Sequence, residues 1–315
     1  MEAITEDGIH GEIVLIGFPY DEGVIRAGGR RGAELGPDCV RRFLPKIGPV
    51  INTELNISLA GLKLTDYGNI VQDTFEEAHK KLESKLVTVL NKPQKPLAVV
   101  VGGGSDQNYS TSCAFLHHCQ TTQSHPVLIN ISSGLGVGSS EGPGLVSGCQ
   151  FRNVLELESF RAQGTAFWVF GIQGTCCLQS DLQYVTAKGG TVTWLSQIRD
   201  SEPHPKSFEL PYRPKTQGGS SFFHLLSYLS ATDSVLISFN LNAINSAYCP
   251  GVCTPSVSGG LSSEEAVEIA LLAGVCPNVK VVDISEFSPA IEDFRTGRLV
   301  SSLIYYLMLG RAKRQ

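Results

Sequence analysis

The chain has 315 residues, of which 42% are hydrophobic and 17% are charged, a balance typical of a folded globular protein and unlike a disordered or fibrous one. Its formal net charge of -5 at pH 7 provides no basic footprint for nucleic acid. No apolar run approaches the roughly 20 residues of a membrane-spanning helix, and the first residues do not resemble a signal peptide. We therefore expect a cytoplasmic protein with no nucleic-acid or membrane partner.

The nine cysteines are scattered, odd in number and without paired CxxC spacing. That pattern argues against zinc modules and against a disulfide framework. Reduced thiols in a cytosolic protein are the plain expectation.

Short β-branched apolar runs alternate with helical patterns along the whole chain. Residues 11–20 predict the first strand, and residues 74–92 predict a helix with Thr74 as its N-cap and Glu77 three residues later. Further strands are predicted over 97–104, 125–132, 165–172, 234–241 and 279–287, and further helices over 262–276 and 297–313. Residues 200–221, which contain four prolines and the run GGSS, predict a surface loop.

Continuous apolar strands separated by helices indicate a parallel sheet that is covered on both faces. The predicted fold class is therefore α/β, a three-layer αβα sandwich with a mainly parallel sheet. Because composition does not shift along the chain, residues 1–315 are predicted to form a single domain.

In open parallel sheets, ligands bind beyond the carboxyl ends of the strands. Here those ends read GGGSDQN (102–108), SSGLGVGSS (132–140), NLNAINSAYCPGV (240–252) and DISEFSP (283–289). We expect the functional site to be built from these four segments.

Four motifs carry a family resemblance. They are DEGVIRAGGRRGAELGPDCVRRFL (21–44), SGCQFR (147–152), YCPGV followed by GGL (248–252 and 259–261) and DISEFSPAIED (283–293). In order and spacing they resemble the arginase, agmatinase and formiminoglutamase superfamily of ureohydrolases, and most closely its formiminoglutamase branch. Ala27 departs from the pattern, since the branch has Asn there. The resemblance implies an arginase-like fold and a hydrolase that acts on C–N bonds of linear amidines.

The resemblance also implies a pair of manganese ions, held by carboxylates and imidazoles at strand ends, with a bridging hydroxide that attacks a guanidinium or formimino carbon. This chain departs from that pattern at six ligand positions, which are Ser105, Ser132, Gly134, Gly136, Asn240 and Asn242. Two Ser, two Gly and two Asn cannot neutralise two adjacent divalent cations. We therefore expect no manganese cofactor and no two-metal catalysis.

Three other chemistries have weaker support. Displaced histidine ligands are disfavoured because no histidine falls at a strand end. Asp106 and Glu286 do lie there, and two carboxylates would hold at most one weakly bound ion. Cys149, Cys249 and Cys253 lie in the rim segments but have no histidine nearby to act as a base. The glycine-rich runs match neither common phosphate-binding motif.

A second set of residues remains from the family's pocket and is predicted to bind a ligand. It contains Arg26, Arg30, Ser147, Gly148, Arg152 and Glu286. Charge-assisted hydrogen bonds from such groups suit a small amino-acid-like or amidine ligand. For each arginine, an ordinary surface ion pair is an equal alternative.

The predicted function is that of a catalytically inactive ureohydrolase homologue with a ligand-binding, regulatory or structural role. The alternative is a formiminoglutamase-type hydrolase acting on formiminoglutamate or arginine-like substrates. The resemblance further implies a homo-oligomer, a trimer or hexamer, and leaves open assembly with an active paralogue.

Overall fold

A parallel β-sheet forms the centre of the computed structural model, which describes residues 11–139, 144–200, 210–256 and 259–314. The strands in the described residues are β1 (Ile13–Phe18), β2 (Ile51–Asn52), β3 (Ile57–Ser58), β4 (Leu64–Asn69), β5 (Leu97–Gly102), β6 (His125–Ile131), β7 (Ala166–Ile172), β8 (Thr191–Trp194), β9 (Asp233–Asn240) and β10 (Val279–Ser285). Eight of them make one sheet in the order β4-β1-β5-β10-β9-β6-β7-β8, and β2 pairs with β3 separately. Every pairing within the large sheet is parallel.

Helices cover both faces of this sheet. They are α1 (Glu22–Arg26), α2 (Gly36–Phe43), α3 (Phe75–Leu90), α4 (Gln107–Thr122), α5 (Gln150–Glu156), α6 (Glu158–Ala162), α7 (Gln179–Ala187), α8 (Leu195–Asp200), α9 (Gln217–Leu226), α10 (Ser263–Val275) and α11 (Phe294–Ala312). One hydrophobic cluster joins a face of the sheet to α2, α8, α9, α10 and α11. A second cluster joins the other face to α3, α4, α5, α6 and α7. The predicted three-layer αβα fold is confirmed.

Strand alternation explains how one apolar run supplies both clusters. In β1, Ile13 and Leu15 belong to the first cluster, whereas Val14 and Ile16 belong to the second. Successive side chains of a strand point to opposite faces, and burying each aliphatic side chain is worth about 1.5–3 kcal/mol. A strand buried on both faces is therefore apolar at most positions, and such a nearly continuous apolar run can be recognised in the sequence.

The six predicted strands of the sheet are present, each within a few residues of its expected bounds. The two that the sequence did not indicate, β4 and β8, are the edge strands of the sheet. Nearly all of their residues are only half-buried, so neither strand needs a continuous apolar run. Their sequences consequently lack the signal that marks the central strands.

The prediction of a surface loop over 200–221 is wrong at its carboxyl end, because α9 begins at Gln217. Thr216 caps this helix by accepting a hydrogen bond from the Gly219 amide at 2.9 Å. The Gly218 amide donates to Glu265 Oε1 of α10 at 3.0 Å. These tertiary contacts outweigh the low helix propensity of two glycines. Residues 201–209 lie outside the described part of the chain.

Within the described ranges, none of the helices combines the length and the apolar character needed to cross a lipid bilayer. The division of the chain into one domain over 1–315 stays a prediction.

Candidate functional site

A pocket of about 350 Å³ opens at the carboxyl ends of β5, β10, β9 and β6, which are four neighbouring strands of the sheet. All six positions that depart from the family's ligand pattern line it: Ser105, Ser132, Gly134, Gly136, Asn240 and Asn242. Because parallel strands end at the same edge of a sheet, segments more than 130 residues apart in sequence meet here. The four strand ends predicted to form the site do come together.

Neutral hydrogen bonds connect the residues at the ends of β6 and β9. Ser132 Oγ donates to Asn242 Oδ1 at 2.9 Å, and the Ser133 amide donates to the same oxygen at 3.0 Å. The backbone amide of Asn242 in turn donates to Asn240 Oδ1 at 2.9 Å. The amide oxygens therefore already accept hydrogen bonds from the protein, and none of the side chains of Ser132, Asn240 and Asn242 carries a charge.

Ser105 connects the end of β5 to the opposite wall. Its amide donates to Glu286 Oε1 at 3.1 Å. Its hydroxyl accepts a hydrogen bond from the Gly148 amide at 3.2 Å and lies 3.4 Å from Gln150 Oε1. Ser105 is thus part of the wall that links β5 to the start of α5.

Glu286, just beyond β10, is a buried carboxylate at the pocket surface. Its backbone φ is 77°, a left-handed conformation that residues with side chains rarely adopt. The Glu286 amide donates to the Gly103 carbonyl at 2.8 Å, and the Glu286 carbonyl accepts from the Cys253 amide at 3.0 Å, which holds this conformation in place. Thr254 Oγ1 donates to Oε2 at 2.7 Å. Burial raises the pKa of the Glu286 carboxyl above its ordinary value.

Asp106 is fully buried behind the pocket wall. Its Oδ1 accepts a hydrogen bond from Ser147 Oγ at 2.7 Å. Its Oδ2 lies 3.2 Å from His79 Nε2, close enough for an ion-pair contact but not aligned as a hydrogen bond. His79 Nδ1 is 2.8 Å from Ser110 Oγ. His79 lies on α3, and its side chain supports the wall from behind.

The loop after β6 comes close to its neighbours because it has no side chains at Gly134 and Gly136. Gly136 has a φ of 70°, and a Cβ built on it would lie 2.8 Å from Phe151 Cδ2. A Cβ on Gly134 would have only the Cys176 carbonyl oxygen nearby, at 3.2 Å. The backbone at Gly136 is therefore shaped around the absence of a side chain.

Of the six predicted ligand-binding residues, Ser147, Gly148 and Glu286 line the pocket. The three arginines lie outside the lining and have protein partners. Arg26 pairs with Glu22 and Glu76, and Arg30 donates to the Val252 and Cys253 carbonyls. Arg152 donates to the Val137 carbonyl at 2.7 Å and lies 4.2 Å above the Tyr184 ring. Arg26 therefore links α1 to α3, whereas Arg30 and Arg152 hold loops beside the pocket.

Several lining residues were not identified from the sequence. Val24 and Gly29 line the pocket from the 21–44 segment, Thr254 follows the YCPGV motif, and Asp181 comes from α7. Asp181 was missed because α7 follows β7, whose carboxyl end carries none of the family motifs. It is the second carboxylate of the lining, so the pocket has two acids and no basic side chain among its described residues.

The rim cysteines are neutral thiols. Burial raises the pKa of Cys249 to about 12 and raises those of Cys253 and Cys149. Since the thiolate is the nucleophile, this environment disfavours cysteine chemistry.

The arginase family model matches residues 11–310. This chain belongs to the arginase family. Formimidoylglutamase of Rhodococcus jostii (strain RHA1) is 28% identical over 322 residues, covering 98% of this chain and 90% of that protein. Formiminoglutamase of Trypanosoma cruzi, whose structure was solved with Mn²⁺, is 36% identical with a TM-score of 0.85, covering 100% of this chain and 97% of that one. Arginase of Bacillus subtilis, at 20% identity and a TM-score of 0.72, shares the fold. Within the family, the similarity lies with the formiminoglutamase branch.

The side chains of this arginase-family pocket do not match the ligands that a pair of hard divalent cations requires. Among the described residues, no three His, Cys, Asp or Glu side chains converge so as to hold a metal ion. Four of the six positions offer a hydroxyl or amide oxygen and the two glycines offer no side chain, whereas Mn²⁺ is held in proteins by carboxylates and imidazoles. Glu286 already accepts two hydrogen bonds from the protein.

Proposed function

We propose that this chain is a ligand-binding member of the formiminoglutamase branch that lacks two-metal catalysis. The observation that supports the proposal is the convergence of the six neutral positions on one pocket, where the residues after β6 and β9 hydrogen-bond to one another. Charge neutralisation at a two-metal site needs several anionic ligands, and neutral oxygens alone give low affinity. The fold and the pocket persist, so binding is the function that this geometry supports.

The ligand we propose is a small amino-acid-like molecule that carries an amidine, guanidine or ammonium group. Glu286 and Asp181 are the carboxylates of the pocket lining, and Asp181 is paired with Arg152 at 3.5 Å. An ionised carboxylate offers about four lone-pair sites, and the protein occupies two of those on Glu286. The remaining two are available to a cationic donor, and such charge-assisted hydrogen bonds are the strong ones.

A metal analysis joined to an activity assay tests this proposal. The purified chain is incubated with Mn²⁺, desalted and analysed for metal, and formamide or urea release is measured with formiminoglutamate, arginine and agmatine. The Trypanosoma cruzi formiminoglutamase serves as the positive control. We expect manganese well below one ion per chain and no release above background. Stoichiometric manganese together with hydrolysis that stops on chelation would overturn the proposal.

A thermal-shift screen of amino acids and amidines tests binding independently. A ligand that binds only the folded state raises the melting temperature in a saturable way. We expect at least one amidine or guanidine to do so. A screen without any response would contradict the ligand-binding role while leaving the metal result intact.

The second candidate is a formiminoglutamase-type hydrolase of linear amidines. Similarity along the whole chain to a formiminoglutamase solved with Mn²⁺ favours it. The same assay separates the two candidates, because only the hydrolase would release formamide or urea.

We also propose that the chain is a cytoplasmic homo-oligomer, a trimer or hexamer, and that it can assemble with an active paralogue. Light scattering on the purified chain measures the oligomeric state. Co-purification with a tagged paralogue tests mixed assembly, and separate homo-oligomers would count against it.

A further inference from the structure

A second pocket lies at the amino ends of the same four central strands. It has a volume of about 180 Å³. Its lining comes from the last turns of α3 and α4, the approaches to β5 and β6, and the first residues of β9 and β10: Leu90, Lys95, Pro96, His118, Thr122, Ser124, Ser234 and Lys280. None of these residues belongs to the pocket described above.

The side chains of this second pocket combine positive charge with hydroxyl groups. Lys95 and Lys280 supply two cations, while Thr122, Ser124 and Ser234 supply hydroxyls. Thr122 Oγ1 and Ser124 Oγ lie 3.0 Å apart. The charged side chains that act on Lys280 are Arg314 and Lys95, both cations. Lysines and hydroxyls that converge on a cavity form an environment suited to an anion.

None of the described residues that line this pocket is a carboxylate. Asp233 precedes Ser234 on β9, but it contacts His125 Nδ1 at 3.1 Å and accepts from the Ser230 amide at 2.8 Å. Burial and neighbouring cations lower the pKa of Lys280, and they lower that of Arg314 to about 10. Lys280 therefore lies in a partly desolvated place beside two other cations, Arg314 and Lys95.

Helix ends offset only part of this charge. The carboxyl ends of α3, α4 and α10 lie at this edge of the sheet, and each contributes roughly -0.5 of a charge. Arg314 donates to the Gly274 and Ala273 carbonyls at the end of α10, and Lys280 Nζ donates to the Pro277 carbonyl at 2.8 Å. Lys95 and Lys280, which line the pocket, carry full positive charges, whereas each helix end contributes only about half a negative charge. A phosphate group, with about -1.5 to -2 at neutral pH, suits a site between two such lysines.

We propose that this second pocket binds the phosphate group of a small phosphorylated molecule, between Lys95 and Lys280. The hydroxyls of Ser124 and Ser234 donate to the phosphate oxygens, and Leu90 and Pro96 pack against the adjoining apolar part of the ligand. The site lies at the opposite ends of the strands that form the first pocket, and α4 runs from one pocket to the other.

Inorganic phosphate is the probe for this site. The melting temperature of the full chain is measured at pH 7.5 in increasing potassium phosphate and in potassium chloride of equal ionic strength. We expect a saturable rise specific to phosphate, about 2 °C at ten times the dissociation constant. Equilibrium dialysis with radiolabelled phosphate should show about one bound phosphate per chain.

Two variants locate the binding. Lys280→Met keeps the length of the buried side chain but removes its charge, and we expect it to abolish the phosphate response. Lys95 is exposed at the rim of the pocket, so Lys95→Gln should fold even if Lys280→Met does not. We expect Lys95→Gln to weaken phosphate binding at least tenfold. Lys215→Met, which removes an exposed lysine paired with Glu54, is the matched control and should respond like the wild type. A wild-type chain that responds equally to chloride, or charge-removing variants that still bind phosphate normally, would overturn the proposal.

Discussion

Glu286 combines three features that rarely occur together in one residue. It is buried, its backbone is left-handed, and its carboxylate faces a pocket. A conformation of this kind costs on the order of 1–3 kcal/mol and persists only when the surroundings impose it. Hydrogen bonds from Ser105, Thr254 and Cys253 impose it here. That arrangement is the strongest single-residue argument that the pocket is maintained for binding.

Substituting this carboxylate by its neutral isostere tests its role. Glu286→Gln keeps the shape of the side chain and removes the charge that pairs with a cationic ligand. We expect agmatine or formiminoglutamate to bind tenfold to a hundredfold more weakly by calorimetry, since a hydrogen bond to a charged group is worth about 1.5–3 kcal/mol.

Because burial raises the pKa of Glu286, wild-type affinity should strengthen as pH rises through that pKa, and the variant should lose this dependence. Glu54→Gln, at an exposed ion pair, is the control. Equal affinities for the variant and the wild type would contradict this role.

Carboxylates introduced at the ends of β6 and β9 should make the folded chain depend on a bound divalent cation for its stability. The triple variant Ser132→Asp, Asn240→Asp, Asn242→Asp brings three negative charges to positions that now hydrogen-bond to one another. Each like-charge pair about 4 Å apart costs roughly 1–4 kcal/mol. We expect a lower melting temperature in chelator and a rise when Mn²⁺ is added, with no manganese response in the wild type. A variant that ignores manganese would show that the pocket geometry, and not only its charge, has diverged.

At the scale of elements, the loop after β6 is shaped by its glycines. Gly136 needs the left-handed region and has Phe151 against the place where a Cβ would go, whereas Gly134 has more room. A carboxylate side chain at position 136 would therefore require the loop to move.

A pair of alanine substitutions measures that difference. Gly136→Ala should lower the free energy of unfolding by about 1–3 kcal/mol, from left-handed strain and the contact with Phe151. Gly134→Ala in the same loop should change it by less than about 0.5 kcal/mol. Urea denaturation of both variants gives the comparison. Equal effects would mean that the loop relaxes freely at both positions.

At the scale of the whole molecule, the sheet and its helical layers are joined by buried polar contacts as well as by apolar packing. Asp283 of β10 is fully buried and accepts hydrogen bonds from Gln107 and Thr111 of α4. Burial raises the pKa of Asp283 to about 7. Between its ordinary value near 4 and about 7, the folded chain holds a proton that the unfolded chain has released.

The free energy of unfolding should therefore fall as the pH rises from about 4 through about 7. The stabilisation associated with the Asp283 proton is complete below about pH 4 and is lost as pH rises through about 7. We expect Asp283→Asn to flatten the fall in the free energy of unfolding between pH 5 and pH 8. Glu286, whose pKa is also raised, retains part of the slope. Asp73→Asn, an exposed position, is the control and should leave the slope unchanged. A slope of the same size in Asp283→Asn would refute this assignment.

Sequence alone determined the fold class, the six strands between the sheet edges and the four strand ends that make the site, because strands buried on both faces are predominantly apolar. It also identified all six neutral pocket positions, since the family motifs on either side of them are intact. Only the tertiary structure revealed the edge strands β4 and β8 and the helix that begins at Gln217. It alone also showed that Asp181 lines the pocket and which protein groups the three arginines contact. These depend on which segments become neighbours after folding, and neither apolar periodicity nor local motifs encode that. The second pocket belongs to the same class, because Lys95 and Lys280 are far apart in sequence and meet only when β5 and β10 pair.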